Sequence, residues 1–237
     1  MKVLAIDSSG LVASVAVVEE GTLLAEYTIH HKKTHSQTLL PMLDEVKKMI
    51  ELDLKSVDYI AVAAGPGSFT GLRIGSATAK GLALALSKDI VEVPTLEGLS
   101  YNLWGTDKYI CPIIDARRNQ VYTGVYRFVR GELTVVKKQD AMDMDELLDY
   151  CERLDGQVIF LGDGVPVYKE RITARSEEQF IFAPANRSHQ SAGSVATLGE
   201  IYAKQGKVVS AATHEPEYLR KSQAEREREE RNSDGNS

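Results

Sequence analysis

The chain has 237 residues, 43% of them apolar, with 34 acidic against 28 basic side chains and a net charge of −6. That length accommodates one large domain or two small ones, and the acidic balance excludes nucleic-acid binding through the overall field, leaving only a local basic patch or a basic partner. Strands are predicted over residues 2–7, 13–18 and 23–29, separated by Ser8-Ser9-Gly10 and by the hairpin turn Glu19-Glu20-Gly21. A helix is predicted over 36–51, because Leu39, Leu43, Val46 and Ile50 recur at helical spacing. A strand over 59–64, a helix over 74–86 and a short strand over 90–93 follow, and Pro94-Thr95 opens a helix reaching Trp104.

The second half repeats this order. Strands are predicted over 109–115, 120–128 and 132–138, a helix over 145–154, a strand over 158–161, a helix over 164–174, a strand over 179–182 and a helix over 191–204. Both halves therefore read βββαβαβα. This duplication points to a two-domain α/β fold of the actin, Hsp70 and sugar-kinase superfamily, ribonuclease H-like in each half, with a cleft between the halves. The expected boundaries are 1–105 and 106–221, followed by a tail, 222–237, of alternating Glu and Arg and then small polar residues, which reads as solvated and disordered. The two cysteines, Cys111 and Cys151, lie outside any C-x-x-C or zinc spacing and read as reduced thiols of a cytoplasmic protein. No apolar run approaches membrane-spanning length, and the strand-like Val3-Leu4-Ala5-Ile6 is not preceded by a charged leader.

The most specific local signal is Gly65-Pro66-Gly67-Ser68-Phe69-Thr70-Gly71-Leu72-Arg73-Ile74-Gly75, between a predicted strand and a predicted helix. Backbone N–H groups at such a turn can hold an anion. The sequence has no Gly-Lys-Ser/Thr, and Thr70 stands where a dinucleotide fingerprint needs its last glycine. A phosphate loop and a tight turn for close helix packing both remain open. Asp7 and Asp115 each end the first strand of a half, so the duplication would set both carboxylates in one cleft, where they could orient a magnesium-bound nucleotide. Equally, each could accept N–H groups of its own strand-end turn. His31 and His35 have an i, i+4 spacing, but Lys32-Lys33 between them would repel a metal, and Thr34 or Ser36 is better suited to capping the next helix. No G-x-S-x-G elbow anchors a nucleophilic triad.

Helix 36–51 carries Leu40, Met42 and Met49 beside its apolar stripe, a wider face than one core contact needs. Helix 74–86 has small residues, Gly75, Ala79 and Ala83 with Ala77 and Gly81 alongside, that permit close helix approach. Intradomain packing and a docking surface are both compatible with this pattern.

Taken together, Ile6-Asp7-Ser8-Ser9, His35-Ser36-Gln37-Thr38-Leu39-Leu40-Pro41, the glycine stretch, Ala79-Lys80-Gly81-Leu82-Ala83, Ile114-Asp115-Ala116-Arg117 and Pro216-Glu217-Tyr218-Leu219-Arg220 resemble the bacterial TsaB (YeaZ) family over residues 6–220. The resemblance implies a role in placing threonylcarbamoyl on the adenosine next to the anticodon in tRNAs reading codons that begin with A. It implies a scaffold for the catalytic subunit TsaD, which shares the fold and binds a metal through histidines on the helix matching residues 95–104. That segment contains no histidine here, so the resemblance assigns the chain no catalytic residue and no metal. It implies docking through Leu39, Leu40, Met42, Leu43, Val46, Met49, Arg73, Ile74, Ala77 and Gly81, with Met42 expected off the core stripe. Asp7, Gly65, Gly67, Ser68 and Asp115 are expected to line a vestigial cleft. Further implied partners are a TsaE-like ATPase, a second copy of the chain when alone, and tRNA only through the complex. ATP or ADP with magnesium is expected, if anywhere, at the complex interface. The alternatives are an ATP-dependent phosphotransferase using Asp7, Asp115 and the glycine turn, and a metallopeptidase-like protein.

Overall fold

The computed structural model describes residues 1–31 and 34–220. Lys32, Lys33 and the whole of the expected tail lie outside the described residues. The first half runs β1 (Lys2–Asp7), β2 (Val12–Glu19), β3 (Thr22–His30), α1 (His35–Met49), β4 (Tyr59–Gly65), α2 (Phe69–Leu86), β5 (Asp89–Pro94) and α3 (Thr95–Tyr101). The second runs β6 (Tyr109–Arg117), β7 (Gln120–Val129), β8 (Glu132–Asp143), α4 (Met144–Glu152), β9 (Val158–Leu161), α5 (Val165–Arg175), β10 (Phe180–Phe182) and α6 (Ala192–Lys204). The duplicated βββαβαβα order is present.

The two five-stranded sheets have the same topology, β3-β2-β1-β4-β5 and β8-β7-β6-β9-β10. In each, the first three strands form an antiparallel meander, and the next two join the first strand in parallel. Parallel neighbours need helical crossovers, which is why helices alternate with strands only after the third strand. β1 is buried on both faces. Leu4 and Ile6 join the core under α1 and α2, and Val3 and Ala5 join a second core on the other face.

That second core is closed by α6, not by a helix of the first half. Val195, Ala196 and Leu198 of α6 pack on Val3, Ala5, Ala61 and Val91. In exchange, Leu96 and Leu99 of α3 pack on Ile110, Ile114 and Tyr126 of the second sheet. The start of α6 is held by the first half too. Glu26 of β3 accepts from Ser191 Oγ at 2.8 Å and from Gly193 N at 3.2 Å, and Ser14 Oγ accepts from Ala192 N at 2.9 Å. A cut between residues 105 and 106 therefore separates the strands of the two sheets but not the helices that cover them.

The outer face of the second sheet carries α4 and α5, with Cys111 and Cys151 buried in that core as free thiols. Among the described residues, no helix is long and apolar enough to cross a membrane.

Candidate functional site

The glycine stretch folds differently from its sequence reading in one respect. α2 begins at Phe69, not near residue 74, with Ser68 as its cap accepting from Gly71 N at 3.3 Å. Gly71 and Gly75 thus lie inside the helix, where glycine ordinarily costs about 1 kcal/mol against alanine. The offsetting gain is proximity. A Cβ at Gly71 would collide with the Ser8 carbonyl oxygen, one at Gly67 with the Ser9 carbonyl oxygen, and one at Gly75 would lie 2.5 Å from Ser8 Oγ. Ser68 N donates to Ser9 O at 2.7 Å and Ser8 Oγ to Gly71 O at 2.8 Å. On the far side, Gly65, at φ +119°, abuts the backbone of Glu217. The glycines bring one side of the turn against the chain's own backbone.

The two halves enclose a cleft of about 820 Å³. Gly67, Ser68 and Asp115 line it. Asp7 and Gly65 do not; both are buried. Asp7 is turned onto its own loop, accepting from Ser9 Oγ at 2.6 Å and Ser9 N at 2.9 Å. Burial pushes its carboxyl up to about 6, against the lowering effect of those two bonds and of His35. The expected pairing of Asp7 with Asp115 across the cleft is therefore replaced by another. Asp163, which sequence reading passed over, lines the cleft beside Asp115, whose N–H it accepts at 3.3 Å. Burial likewise raises Asp163 to about 6, with the Asp115 charge adding to the rise. Its only sequence signal was the turn Gly162-Asp163-Gly164, matching the position of the glycine stretch in the first half.

His31 and His35 both line the cleft. His35 Nε2 donates to Gly10 O at 2.8 Å, and His30 packs edge-on against His189 at 4.6 Å. Burial, then the nearby His30, lowers the affinity of His189 for a proton. Among the described residues no three His, Cys, Asp or Glu side chains are grouped to hold a metal ion.

α1 and α2 lie side by side over the first sheet. On α1, Leu39, Met42, Leu43 and Val46 are buried in the core, whereas Leu40 and Met49 are 58% and 81% exposed. The expectation that Leu39, Met42, Leu43 and Val46 meet a partner, with Met42 off the core stripe, is thus corrected. Residue 42 falls three positions from Leu39 and four from Val46, on the same face as both. On α2, Arg73, Ala77 and Gly81 are exposed, Ile74 is half-buried against the core, and Leu84 is 67% exposed. Ala77, Gly81 and Leu84 recur at i, i+4 and i+7 on one outward face of α2, whereas Leu40 and Met49, nine positions apart on α1, are exposed on opposite flanks of its buried stripe.

A family model described as TsaD, tRNA N6-adenosine threonylcarbamoyltransferase, matches residues 22–228. The chain is 34% identical to the tRNA threonylcarbamoyladenosine biosynthesis protein TsaB of Bacillus subtilis, over 95% of this chain and 96% of that one. It is 27% identical to the Escherichia coli protein of the same name, over 93% and 95% of the two chains. Among solved structures, YeaZ from Pseudomonas aeruginosa superimposes with a TM-score of 0.77 at 28% identity, covering 92% of this chain and 99% of that one. With relatives matched over nearly their full lengths and the fold of YeaZ, the chain belongs to the TsaB (YeaZ) family of tRNA threonylcarbamoyladenosine biosynthesis proteins.

Proposed function

We propose that this accessory subunit of the threonylcarbamoyladenosine complex has no catalytic chemistry of its own and acts by binding and supporting a TsaD-type transferase. The observation that carries this reading is the glycine turn. Where a nucleotide-using relative of this fold would bring its glycines against phosphate, Gly71, Gly67 and Gly65 here abut the backbone of Ser8, Ser9 and Glu217, and Ser68 N donates to Ser9 O. Its fold then serves as a support carrying two helices.

The docking face is the outward side of α1 and α2. Leu84, with Leu40 and Met49 on the two flanks of α1, supplies apolar area, and Ala77 and Gly81 allow a partner helix to approach closely. A second copy of the chain covers the same face when the transferase is absent. ATP or ADP with magnesium acts at the subunit interface, a TsaE-like ATPase joins there, and tRNA is engaged through the assembled complex in the cytoplasm.

Size-exclusion chromatography of the chain with its TsaD-type partner tests the docking claim. The double substitution Leu40→Glu and Met49→Glu places a charge on each flank of α1, so that whichever flank meets the partner carries one. Its cost is on the order of 3 kcal/mol, or more than a hundredfold in affinity, with folding intact because both side chains are exposed. Unchanged association would remove these helices from the interface. Phosphoryl transfer by the isolated chain that disappears with Asp115→Ala would overturn the non-catalytic assignment.

A further inference from the structure

We propose that residues 214–220 form a clasp across the inter-domain cleft, fixed to the first half and releasable from the second. After α6 the chain returns along the first sheet, where Val209 pairs antiparallel with Ile90 through N–H···O bonds of 2.8 and 2.9 Å. His214 is then fully buried, its Nδ1 donating to Glu92 Oε1 at 2.6 Å and its Nε2 meeting Ser76 Oγ at 3.0 Å. Three residues on, Glu217 N donates to Ala64 O at 2.7 Å, with its backbone against Gly65. The Tyr218 ring lies 4.7 Å from that of Phe69, whose other contact is the Arg73 guanidinium at 4.0 Å.

The same segment then crosses to the second half. Gln139 Nε2 of β8 donates to Glu217 Oε2 at 2.7 Å, and Arg220 Nη1 donates to Ala116 O of β6 at 3.3 Å. Glu217, Tyr218 and Arg220 line the cleft between Phe69 on one wall and Ala116 on the other. The two sets of contacts differ in kind. On the first half the anchor is a buried imidazole with two partners and a backbone bond, which cannot be lost without leaving buried polar groups unpaired. The Gln139 bond on the second half is exposed to water, and the Arg220 bond is partly so; parting them costs their net worth, because water can take up the freed groups. Strain between the halves would therefore part the clasp at Gln139 and Ala116, while His214 and Glu217 N stay in place, and the cleft would widen.

The test uses the full chain with Gln139→Ala and Arg220→Ala together, spin-labelled at Leu11→Cys and Val167→Cys. Those two positions line the cleft and are 62% and 60% exposed, while the native Cys111 and Cys151 are 0% exposed and escape labelling. Electron–electron resonance should show a new, longer distance whose population is up by about tenfold, the ratio sustained by one net hydrogen bond to a charged group. Hydrogen exchange at the Glu217 amide should remain slow. Glu217→Gln, which still offers Gln139 a carbonyl oxygen, should keep the parent distance. Superimposable distance distributions in the double variant would overturn the clasp, and so would a Glu217 amide that exchanges as fast as unfolded chain. If the double variant loses its cooperative melt, Gln139→Ala and Arg220→Ala singly are judged by the same two readouts.

Discussion

Replacing Met42 by glutamate separates the two faces of α1. Met42 is 2% exposed and packs in the core with Leu39, Leu43, Val46 and residues of β1 and β2. Glutamate nearly matches methionine in volume, so little cavity forms, but burying its polar end unpaired costs about 1–3 kcal/mol. The introduced carboxyl adds a second penalty. Asp7, which has two hydrogen bonds from Ser9, is still raised to about 6 by burial; a carboxyl in this apolar core would go higher and be neutral at pH 7. Neutralising a glutamate of ordinary pKa near 4.3 at pH 7 costs roughly 3–4 kcal/mol. Together these reach about 4–7 kcal/mol, comparable with the whole stability of an ordinary domain. Met42→Glu should therefore abolish the cooperative melt at neutral pH or lower it by more than about 15 °C. The sign of the pH dependence follows from the raised carboxyl. Above its unfolded-state value the folded protein must keep a proton that the unfolded chain has released. The deficit is largest at pH 7 and shrinks as the pH falls toward 4. Leu40→Glu, two positions away and exposed, should move stability by no more than about 0.5 kcal/mol. The assays are circular-dichroism melts and urea titrations at pH 4.5 and 7. A Met42→Glu protein that melts like the parent, or whose deficit grows on acidification, would refute the assignment of this face to the core.

Asp7→Asn keeps an acceptor for Ser9 and removes a carboxyl whose folded-state value, about 6, lies above the usual range. In the parent the folded state holds this proton more tightly, so stability falls as the pH rises from about 4 to 6. The variant should be more stable at pH 7, by up to about 3 kcal/mol, and its urea midpoint should vary less across that window; an unchanged pH slope would count against burial as the cause. Gly71→Ala should destabilise by more than about 2 kcal/mol, since its Cβ meets the rigid Ser8 backbone, whereas Gly81→Ala, with nothing within 4 Å, should stabilise α2 by up to about 1 kcal/mol. Equal melting shifts for the two would show that the close approach of α2 to Ser8 is not real. Glu26→Ala removes the acceptor shared by Ser191 Oγ and Gly193 N at the start of α6 and should cost about 1–2 kcal/mol; limited proteolysis at residues 183–191 reports it, and an unchanged cleavage rate would show that the cap is dispensable.

Local pattern carried much of this protein. The meander turns are announced by glycine and acidic residues, the parallel strands by short apolar runs and the helices by their period, because each depends only on neighbours along the chain. Repetition of that order was enough to anticipate the doubled fold. The outward or inward sense of Met42 was not available in the same way. A wide apolar face on α1 is consistent with several rotations about the helix axis, and only the position of the sheet beneath it selects one. The start of α2 was misplaced because Gly71 and Gly75 weaken a helix locally, and their use appears only when Ser8 and Ser9 arrive from residues more than sixty positions earlier. Asp7 and Asp115 occupy matching places in the repeat, yet Ser9 turns the first away from the cleft and Asp163 joins the second. The exchange of α3 and α6 between the sheets, and the crossing of Glu217 and Arg220 to the second half, join residues remote in sequence. Such contacts are decided by which surfaces meet once both sheets exist, and no periodicity within a segment records that choice.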